Sequence, residues 1–351
     1  MSTTLPGHRR PRALPAIALA ALVAITGCGS EDGPETGSEA AAAAGDLLPP
    51  AEGTTEYPLT LTTWAGETVL EERPERIAVI GFSLNADALE AIGVTPVYTL
   101  SDEAWEWRDP EWVSAIEHVD TATRRDPINF EGIAAGDPDL IIATNFIFEE
   151  GDFERLSDIA PVLENEEQVA GDQIDWRDTQ RRIGEVLDLG AAADAAIVEA
   201  EEAIAATAAE HPRFEGRTVT IAYDYTTTGM DYYTVTGGTA EQVVGRLGFE
   251  PNPLAENFVD EPGVSDERLA LLDADVLIVF YDDEAGRAAR EEMALFQTLE
   301  PVAEGRYVPV VAAEGESGAN ATWVLRRGAS ALSLPWAVDV IAGWAAGADL
   351  S

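Results

Sequence analysis

Aromatic rings and hydroxyls, rather than nucleophiles or metal ligands, dominate the chemistry open to this sequence. Eight Trp and eight Tyr stand beside three His (His8, His118, His211) and a single Cys, Cys28. That stock is too small for a Cys/His zinc site or a disulfide framework. The chain lacks a Gly-x-Ser-x-Gly elbow and a phosphate-cradling Gly-rich loop ahead of a helix, and it has too little His for a Ser/His/Asp set. Gly237-Gly238-Thr239 matches an anion cradle at a helix start only briefly and without specificity. What the sequence can do is bind: rings with hydroxyl and amide tips suit a bulky organic chelate. The residues of this kind are Phe82, Ser83 and Asn85; Asn145, Phe146 and Phe148; Tyr223, Tyr225, Tyr281 and Asp282; and the pairs Trp105/Trp107 and Tyr232/Tyr233. Core packing is the competing role for each of them, least so for Trp105 and Trp107, which lie in a polar stretch with alternating charges.

The positions of these residues follow from the elements around them. Residues 76–81 read as a buried strand, 85–92 as a helix closed by Gly93, and 94–98 as the next strand. The alternation repeats at 130–135 with 139–144, and at 155–160 with 162–163. It restarts at 217–222, with helices at 240–247 and 266–272, strands at 275–280 and 307–311, and a last helix at 331–344. A hairpin is expected around Ala65-Gly66. Strand-helix alternation of this sort predicts parallel α/β layers with helices on both faces. In open sheets of this class ligands bind beyond the carboxyl ends of the strands, which is where most of the residues named above fall. Between the two α/β stretches, residues 175–210 contain no Pro and are rich in Ala, Glu, Ile and Leu, so one long helix is expected, kinked at most by Gly184 and Gly190.

The chain has 351 residues and a formal charge of -44, from 21 basic side chains, all Arg, against 65 acids. This length suggests about two domains of roughly 100–200 residues each. Such a negative charge repels phosphate backbones and disfavours nucleic acid as a partner. It reads as a solvated skin, from a saline habitat or a compositional habit. At the N-terminus His8, Arg9, Arg10 and Arg12 precede an apolar run over residues 13–25, long enough for a signal peptide and too short to span a bilayer. The run ends Ile25-Thr26-Gly27-Cys28, which resembles a bacterial lipobox with Cys28 as the lipidated residue. Arg9-Arg10 leaves Sec and twin-arginine export both open. The expected organisation is a signal peptide at 1–27, a flexible tether at 28–55, a first lobe at 56–174, a bridging helix at 175–211 and a second lobe at 212–351.

Over residues 57–345 an ordered set of motifs resembles the extracytoplasmic solute-binding proteins of ABC importers for ferric siderophores, haem and cobalamin. The set comprises Arg73-Pro74-Glu75-Arg76-Ile77-Ala78-Val79-Ile80, Asp87-Ala88-Leu89-Glu90-Ala91-Ile92-Gly93, and Asn129-Phe130-Glu131-Gly132-Ile133 with Pro138-Asp139-Leu140-Ile141-Ile142. It continues with Leu156-Ser157-Asp158-Ile159-Ala160-Pro161-Val162, Trp176 with Ile183-Gly184, and Val264-Ser265-Asp266-Glu267-Arg268-Leu269 with Ala274-Asp275-Val276-Leu277-Ile278-Val279. Any one of these is weak; their order and spacing are specific.

The resemblance implies two α/β lobes with parallel-rich sheets, a single backbone helix between them and a ligand cleft between the lobes. It implies a lipid-anchored, monomeric binding protein, not an enzyme, that hands a ferric siderophore to a permease dimer with ATPase subunits. Glu131 and Glu267 are the implied permease-docking carboxylates; each also suits its helix N-terminus. Where relatives often carry an Arg after the 217–222 strand this chain has Tyr223, leaving Arg108, Arg124, Arg125, Arg326 and Arg327 as candidate cations, with Arg326 taken as the site residue and placed in a loop. That scarcity favours a neutral or cationic ferric hydroxamate over a tri-anionic catecholate. Neither a cofactor nor a bare metal ion is expected, with so few His. Haem, through one of Tyr223, Tyr225, Tyr232 or Tyr233, and cobalamin stay open, and a two-lobed enzyme is the remaining alternative.

Overall fold

The computed structural model describes residues 47–81, 83–100, 105–120, 127–147, 149–168, 175–225, 229–313, 316–327 and 329–350, without the side chains of Ser83 and Arg327. Cys28 and the signal-peptide residues therefore lie outside the described residues, as do Phe82, Phe148, Arg124 and Arg125. Residues 45–351 form one compact unit.

Two five-stranded sheets dominate it. The first has the order β5-β4-β3-β6-β7 and is parallel throughout, built from β3 (Ile77–Val79), β4 (Tyr98–Leu100), β5 (His118–Asp120), β6 (Leu140–Ile142) and β7 (Val162–Leu163). The second has the order β10-β9-β8-β11-β12. There β8 (Val219–Tyr225), β11 (Val276–Tyr281) and β12 (Tyr307–Val311) are parallel, while β9 (Gly229–Tyr232) runs antiparallel to β8 and to β10 (Gly263–Val264). Central strands covered on both faces must be apolar along their whole length. All six residues of β11 and all three of β3 and β6 are accordingly buried. A hairpin of β1 (Leu59–Thr63) and β2 (Gly66–Leu70) turns at Trp64-Ala65, one residue earlier than expected.

Helices α1 (Ser83–Glu90), α2 (Pro110–Ala115), α3 (Phe130–Ala135) and α4 (Glu150–Ser157) belong to the first lobe. The second has α7 (Thr239–Gly245), α8 (Glu284–Glu291), α9 (Glu300–Ala303), α10 (Ser317–Arg327) and α11 (Ser333–Ala346). Between the lobes stand α5 (Trp176–Val186) and α6 (Gly190–Glu210), so the single helix expected over 175–211 is in fact two. The break lies at Leu187-Asp188-Leu189, where Asp188 takes φ 53. Gly184 does not kink α5: a Cβ there would lie 2.4 Å from that of Ala193, so glycine lets α5 and α6 touch. The buried residues of α6 (Ala193, Ala196, Ile197, Ala200, Ile204) form one stripe at helical spacing. With 21 residues α6 is about 30 Å long.

One apolar core runs from the first sheet through α5 and α6 to the second sheet and α11, uniting residues such as Leu89, Ile183, Ile197, Phe280 and Ile341. Each sheet has a separate core on its other face. The lobes are thus fused along the bridging helices by continuous packing, which excludes a soft hinge at that side.

Residues 52–55, expected as the end of the tether, are fixed against the bridging helices. Asp188 accepts the backbone N–H groups of Gly53, Thr54 and Thr55 at 2.8–2.9 Å, and Glu52 caps α6 through the N–H groups of Ala191 and Ala192. The Thr55 N–H above all, with those of Thr54 and Gly53, holds the Asp188 carboxyl down at about 2 against its burial. Composition alone missed this because the ordering comes from backbone amides, which every residue carries.

Candidate functional site

In the first sheet the chain leaves β3 toward β4 on one side, while β6 and β7 lie on the other. The crevice at such a reversal opens at the carboxyl ends of β3 and β6, that is, at Ile80-Gly81 and residues 143–146. Asn85 is fully buried across this crevice. Its Nδ2 donates to the carbonyls of Ile80 (3.0 Å) and Thr144 (3.2 Å), and the Thr144 hydroxyl donates back to Asn85 Oδ1. Expected as a ligand contact, Asn85 instead stitches the two strand ends together. Phe146 packs onto Gly81, whose φ of 100 suits only glycine and where a Cβ would come within 2.8 Å of the ring's Cβ. Asn145 sits at φ 58, is 4% exposed, and its Oδ1 meets no partner among the described residues.

The second sheet presents a different surface. Side chains alternate along β8, so Tyr223 and Tyr225 share a face and stack with ring centroids 4.1 Å apart. The hydroxyls of Tyr225 and Tyr233 meet at 2.5 Å. Arg326 donates to the Tyr225 hydroxyl at 2.8 Å, with its guanidinium 5.5 Å from the Tyr233 ring centre. Tyr223 donates to Asp282 Oδ1 at 3.0 Å. Burial first, then the hydrogen bond to Asp282, pushes the Tyr223 phenol up; burial, then the hydrogen bond to Tyr225, does the same for Tyr233. Both therefore stay neutral at physiological pH; the single Tyr223 proton is committed to Asp282, and within the Tyr225–Tyr233 pair one hydroxyl donates to the other, which leaves one O–H of that pair for a ligand's oxygens. Five expected site residues (Tyr223, Tyr225, Tyr233, Asp282, Arg326) converge here. Arg326 stands on α10 rather than in a loop; the Ser-Gly-Ala-Asn-Ala-Thr start of that helix has no apolar stripe to reveal it.

Tyr232 and Tyr281 do not join them, a correction that also follows from alternation. Tyr232, 1% exposed, stacks on Phe258 at 4.3 Å and bonds the Thr220 hydroxyl. Tyr281, 0% exposed, bonds the Tyr307 hydroxyl at 2.8 Å. Both fill the outer core of the second lobe.

Trp105 and Trp107, expected in the cleft lining, bridge the lobes. They stack on one another at 4.8 Å, with Trp105 against Trp323 of α10 (5.4 Å) and Trp107 against Trp336 of α11 (5.1 Å). Beneath them Asp87 of α1 is fully buried. It pairs with Arg108 and accepts the Trp107 indole N–H (3.0 Å) and the Ser330 hydroxyl of the second lobe (2.8 Å). The Ser317 hydroxyl donates to Glu106 at 2.8 Å. Glu90, 3.7 Å from Arg108, has its carboxyl pushed up to about 7 by burial, against the Asp109 N–H. A polar stretch conceals these contacts because Trp323, Trp336, Ser317 and Ser330 all lie in the other lobe.

Behind Trp107 a cavity of about 250 Å³ opens between α6 and the start of α11, walled by Ala196, Ala200, Ala331, Leu332 and Pro335. It is on the bridging-helix side and carries none of the tyrosines or Arg326. Among the described residues no group of three or more His, Cys, Asp or Glu is placed to hold a metal ion. His118 is exposed in β5, and His211 stacks on Phe214 at 5.0 Å.

Glu131 and Glu267 are both exposed in the first turn of a helical segment, α3 and the 3-10 stretch Asp266–Leu272. The 3-10 stretch follows β10 directly, and the start of α3 is tied to the end of β5 by Asn129 Nδ2 donating to Asp120 Oδ2 at 2.8 Å, so both carboxylates stand near the carboxyl edge of their own lobe.

Two α/β lobes fused along bridging helices, with aromatic and polar side chains gathered at strand ends, match the architecture of a solute-binding protein. The chain belongs to the periplasmic binding protein family, whose profile matches residues 78–294. Its relatives are binding proteins, not enzymes. Solved structures share the fold. A periplasmic solute binding protein from Mycobacterium smegmatis is 22% identical, with 84% of this chain and 99% of that one covered and a TM-score of 0.64. PiaA from Streptococcus pneumoniae, solved in complex with ferrichrome, is 22% identical over 83% of this chain and 99% of its own, with a TM-score of 0.64. SirA from Staphylococcus aureus, complexed with staphyloferrin B, is 19% identical over 84% and 100%, with a TM-score of 0.62. No curated protein matches the sequence.

Proposed function

We propose that this protein is an extracytoplasmic, lipid-anchored receptor that captures an intact ferric-siderophore chelate and delivers it to an ABC importer. The observation that carries the reading is the Tyr223-Tyr225-Tyr233-Arg326 cluster at the carboxyl edge of the second sheet. Stacked rings present an apolar wall to the organic shell of a chelate, while the Tyr225–Tyr233 hydroxyl pair and one guanidinium offer donors to its oxygens. Phenols that stay protonated suit a metal already wrapped in its own ligands better than naked iron, which needs phenolates. PiaA in complex with ferrichrome and SirA with staphyloferrin B, on the same fold, support the class of cargo.

Charge narrows that class. Arg326 is the cation in the cluster, Asp282 stands beside it, and the chain carries -44 overall. A tri-anionic catecholate complex meets net repulsion here, whereas a neutral or cationic ferric hydroxamate does not. Haemin is the second reading, because Tyr225, with Arg326 donating to its hydroxyl, is a phenol that could meet an open axial position.

Tryptophan quenching during titration with ferrichrome, a ferric catecholate and haemin separates these cargoes. Saturable binding of ferrichrome with the chelate recovered unchanged supports the reading; affinity for the catecholate alone refutes it. Glu131 and Glu267 supply a two-point, charge-assisted grip on the permease subunits. Replacing both with Ala abolishes uptake and leaves chelate affinity intact; lost binding would show them to be structural. Cys28 supplies the lipid anchor, tested by acyl labelling of wild type against Cys28→Ala. No helix among the described residues is long and apolar enough to cross a membrane.

A further inference from the structure

Beneath the strand-end loop of the first lobe lies a carboxylate that no step above uses. Glu164 follows β7 and is 1% exposed. Its Oε2 accepts the N–H groups of Asn145 (3.2 Å) and Asn165 (3.1 Å), and its Oε1 accepts that of Phe146 (3.2 Å). The indole N–H of Trp64, from the β1–β2 turn, faces the same carboxylate without reaching hydrogen-bond geometry. These amides and the indole are the groups that set its proton affinity, and none of them is charged. Burial pushes the carboxyl up to about 7, against the pull of the three amides.

Ionised, the carboxylate is acceptor-only on both oxygens and can hold all three N–H groups at once. Protonated, one oxygen carries an O–H and becomes a much poorer acceptor, so the amide contacts to that oxygen weaken. Two of the three amides belong to Asn145 and Phe146, the pair that shapes the crevice edge. Asn145 takes a left-handed backbone, uncommon for a non-glycine residue although Asn tolerates it better than most. Its Oδ1 is buried and meets no partner among the described residues.

We propose that Glu164 is the positioning residue of the ligand loop: ionised, it fixes residues 144–146 in the binding geometry, and protonated, it lets them go. The proposal rests on the reading that the chelate sits at the strand ends. Its consequence is a receptor that binds more weakly in acid, with the affinity change linked to one proton.

The test has two arms that fail separately. In the first, the protein is titrated with ferrichrome by Trp quenching across neutral pH. Full coupling to one proton near pH 7 weakens binding about tenfold between pH 8 and pH 6, while Glu164→Gln binds weakly at both and shows no slope. In the second, hydrogen exchange of the Asn145 and Phe146 amides, corrected for intrinsic rates, is followed over the same range without any ligand. Loss of protection on acidification in wild type, absent in E164Q, supports the proposal whether or not ferrichrome is the cargo. Protection independent of pH in wild type overturns it, as does ferrichrome binding with no pH slope. Failure to bind ferrichrome with intact pH-dependent protection counts against the cargo reading alone.

Discussion

The two strand-end surfaces that face the candidate site use their side chains in opposite ways. In the first lobe Asn85 and Glu164 are turned inward to bond backbone groups, and the Thr144 hydroxyl bonds Asn85. In the second, Tyr225, Tyr233 and Arg326 are joined by hydrogen bonds and Tyr223 stacks on Tyr225 while bonding Asp282, with Tyr225 and Tyr233 half-buried and Arg326 exposed. One surface is a shape fixed by amides; the other is a set of donors and rings. On the proposed reading, discrimination between ligands belongs mainly to the second lobe, and the first supplies a preorganised counterface.

That contrast can be broken by mutation. The largest effect is expected where the lobes meet: Asp87→Ala leaves Arg108, the Trp107 indole and the Ser330 hydroxyl without their common acceptor, and should cost about 3–5 kcal/mol in denaturant unfolding. A loss under about 1 kcal/mol would mean that Glu90 takes over the pairing. Next, Arg326→Ala should weaken ferrichrome binding about 10- to 100-fold with the unfolding midpoint unchanged, consistent with a charge-assisted hydrogen bond of about 1.5–3 kcal/mol. Asn85→Ala should do the reverse in kind, lowering stability by about 1–3 kcal/mol because two buried carbonyls lose their donor. If Asn85→Ala changed affinity alone, or Arg326→Ala stability alone, the division between the lobes would be wrong.

The smallest expected effect is on pH dependence. The folded Glu90 carboxyl titrates at about 7, above the unfolded value of about 4.3. The folded protein therefore holds this proton more tightly. The resulting stabilisation is complete below the unfolded value and disappears as pH rises through about 7. Melting temperature should fall from pH 5 to pH 8, and Glu90→Gln should flatten the fall by about 2 °C; an unchanged slope would place the titration elsewhere.

Legibility in the sequence followed the reach of each interaction. β3, β6 and β11 could be read because burial on both faces forces unbroken apolar runs. Strand ends point to Tyr223, Tyr225 and Tyr281, and a loop to Tyr232-Tyr233; neither reading distinguishes the two faces of a strand, and so the residues that come together, Tyr223, Tyr225 and Tyr233, are named alongside Tyr232 and Tyr281, which point the other way. Trp105 and Trp107 have partners more than 200 residues away in α10 and α11, which no local pattern encodes. Glu164 was invisible for another reason: among 65 acids a single buried carboxylate has no local signature, and only its three amide donors distinguish it. The break at Asp188 was hidden because Trp176–Val186 on one side and the Ala-rich Gly190–Glu210 on the other both carry a helical pattern, which the Gly53–Thr55 amides override between them.

Binding itself is the point on which the rest turns, and equilibrium titration of the processed protein with ferrichrome, monitored by Trp fluorescence and followed by mass analysis of the released ligand, addresses it most directly. Saturable one-to-one quenching in wild type, a return of intact ferrichrome, and a large loss of affinity in Arg326→Ala are the results expected. Unaltered affinity in that variant, or a ligand returned chemically changed, would contradict capture by the second-lobe cluster.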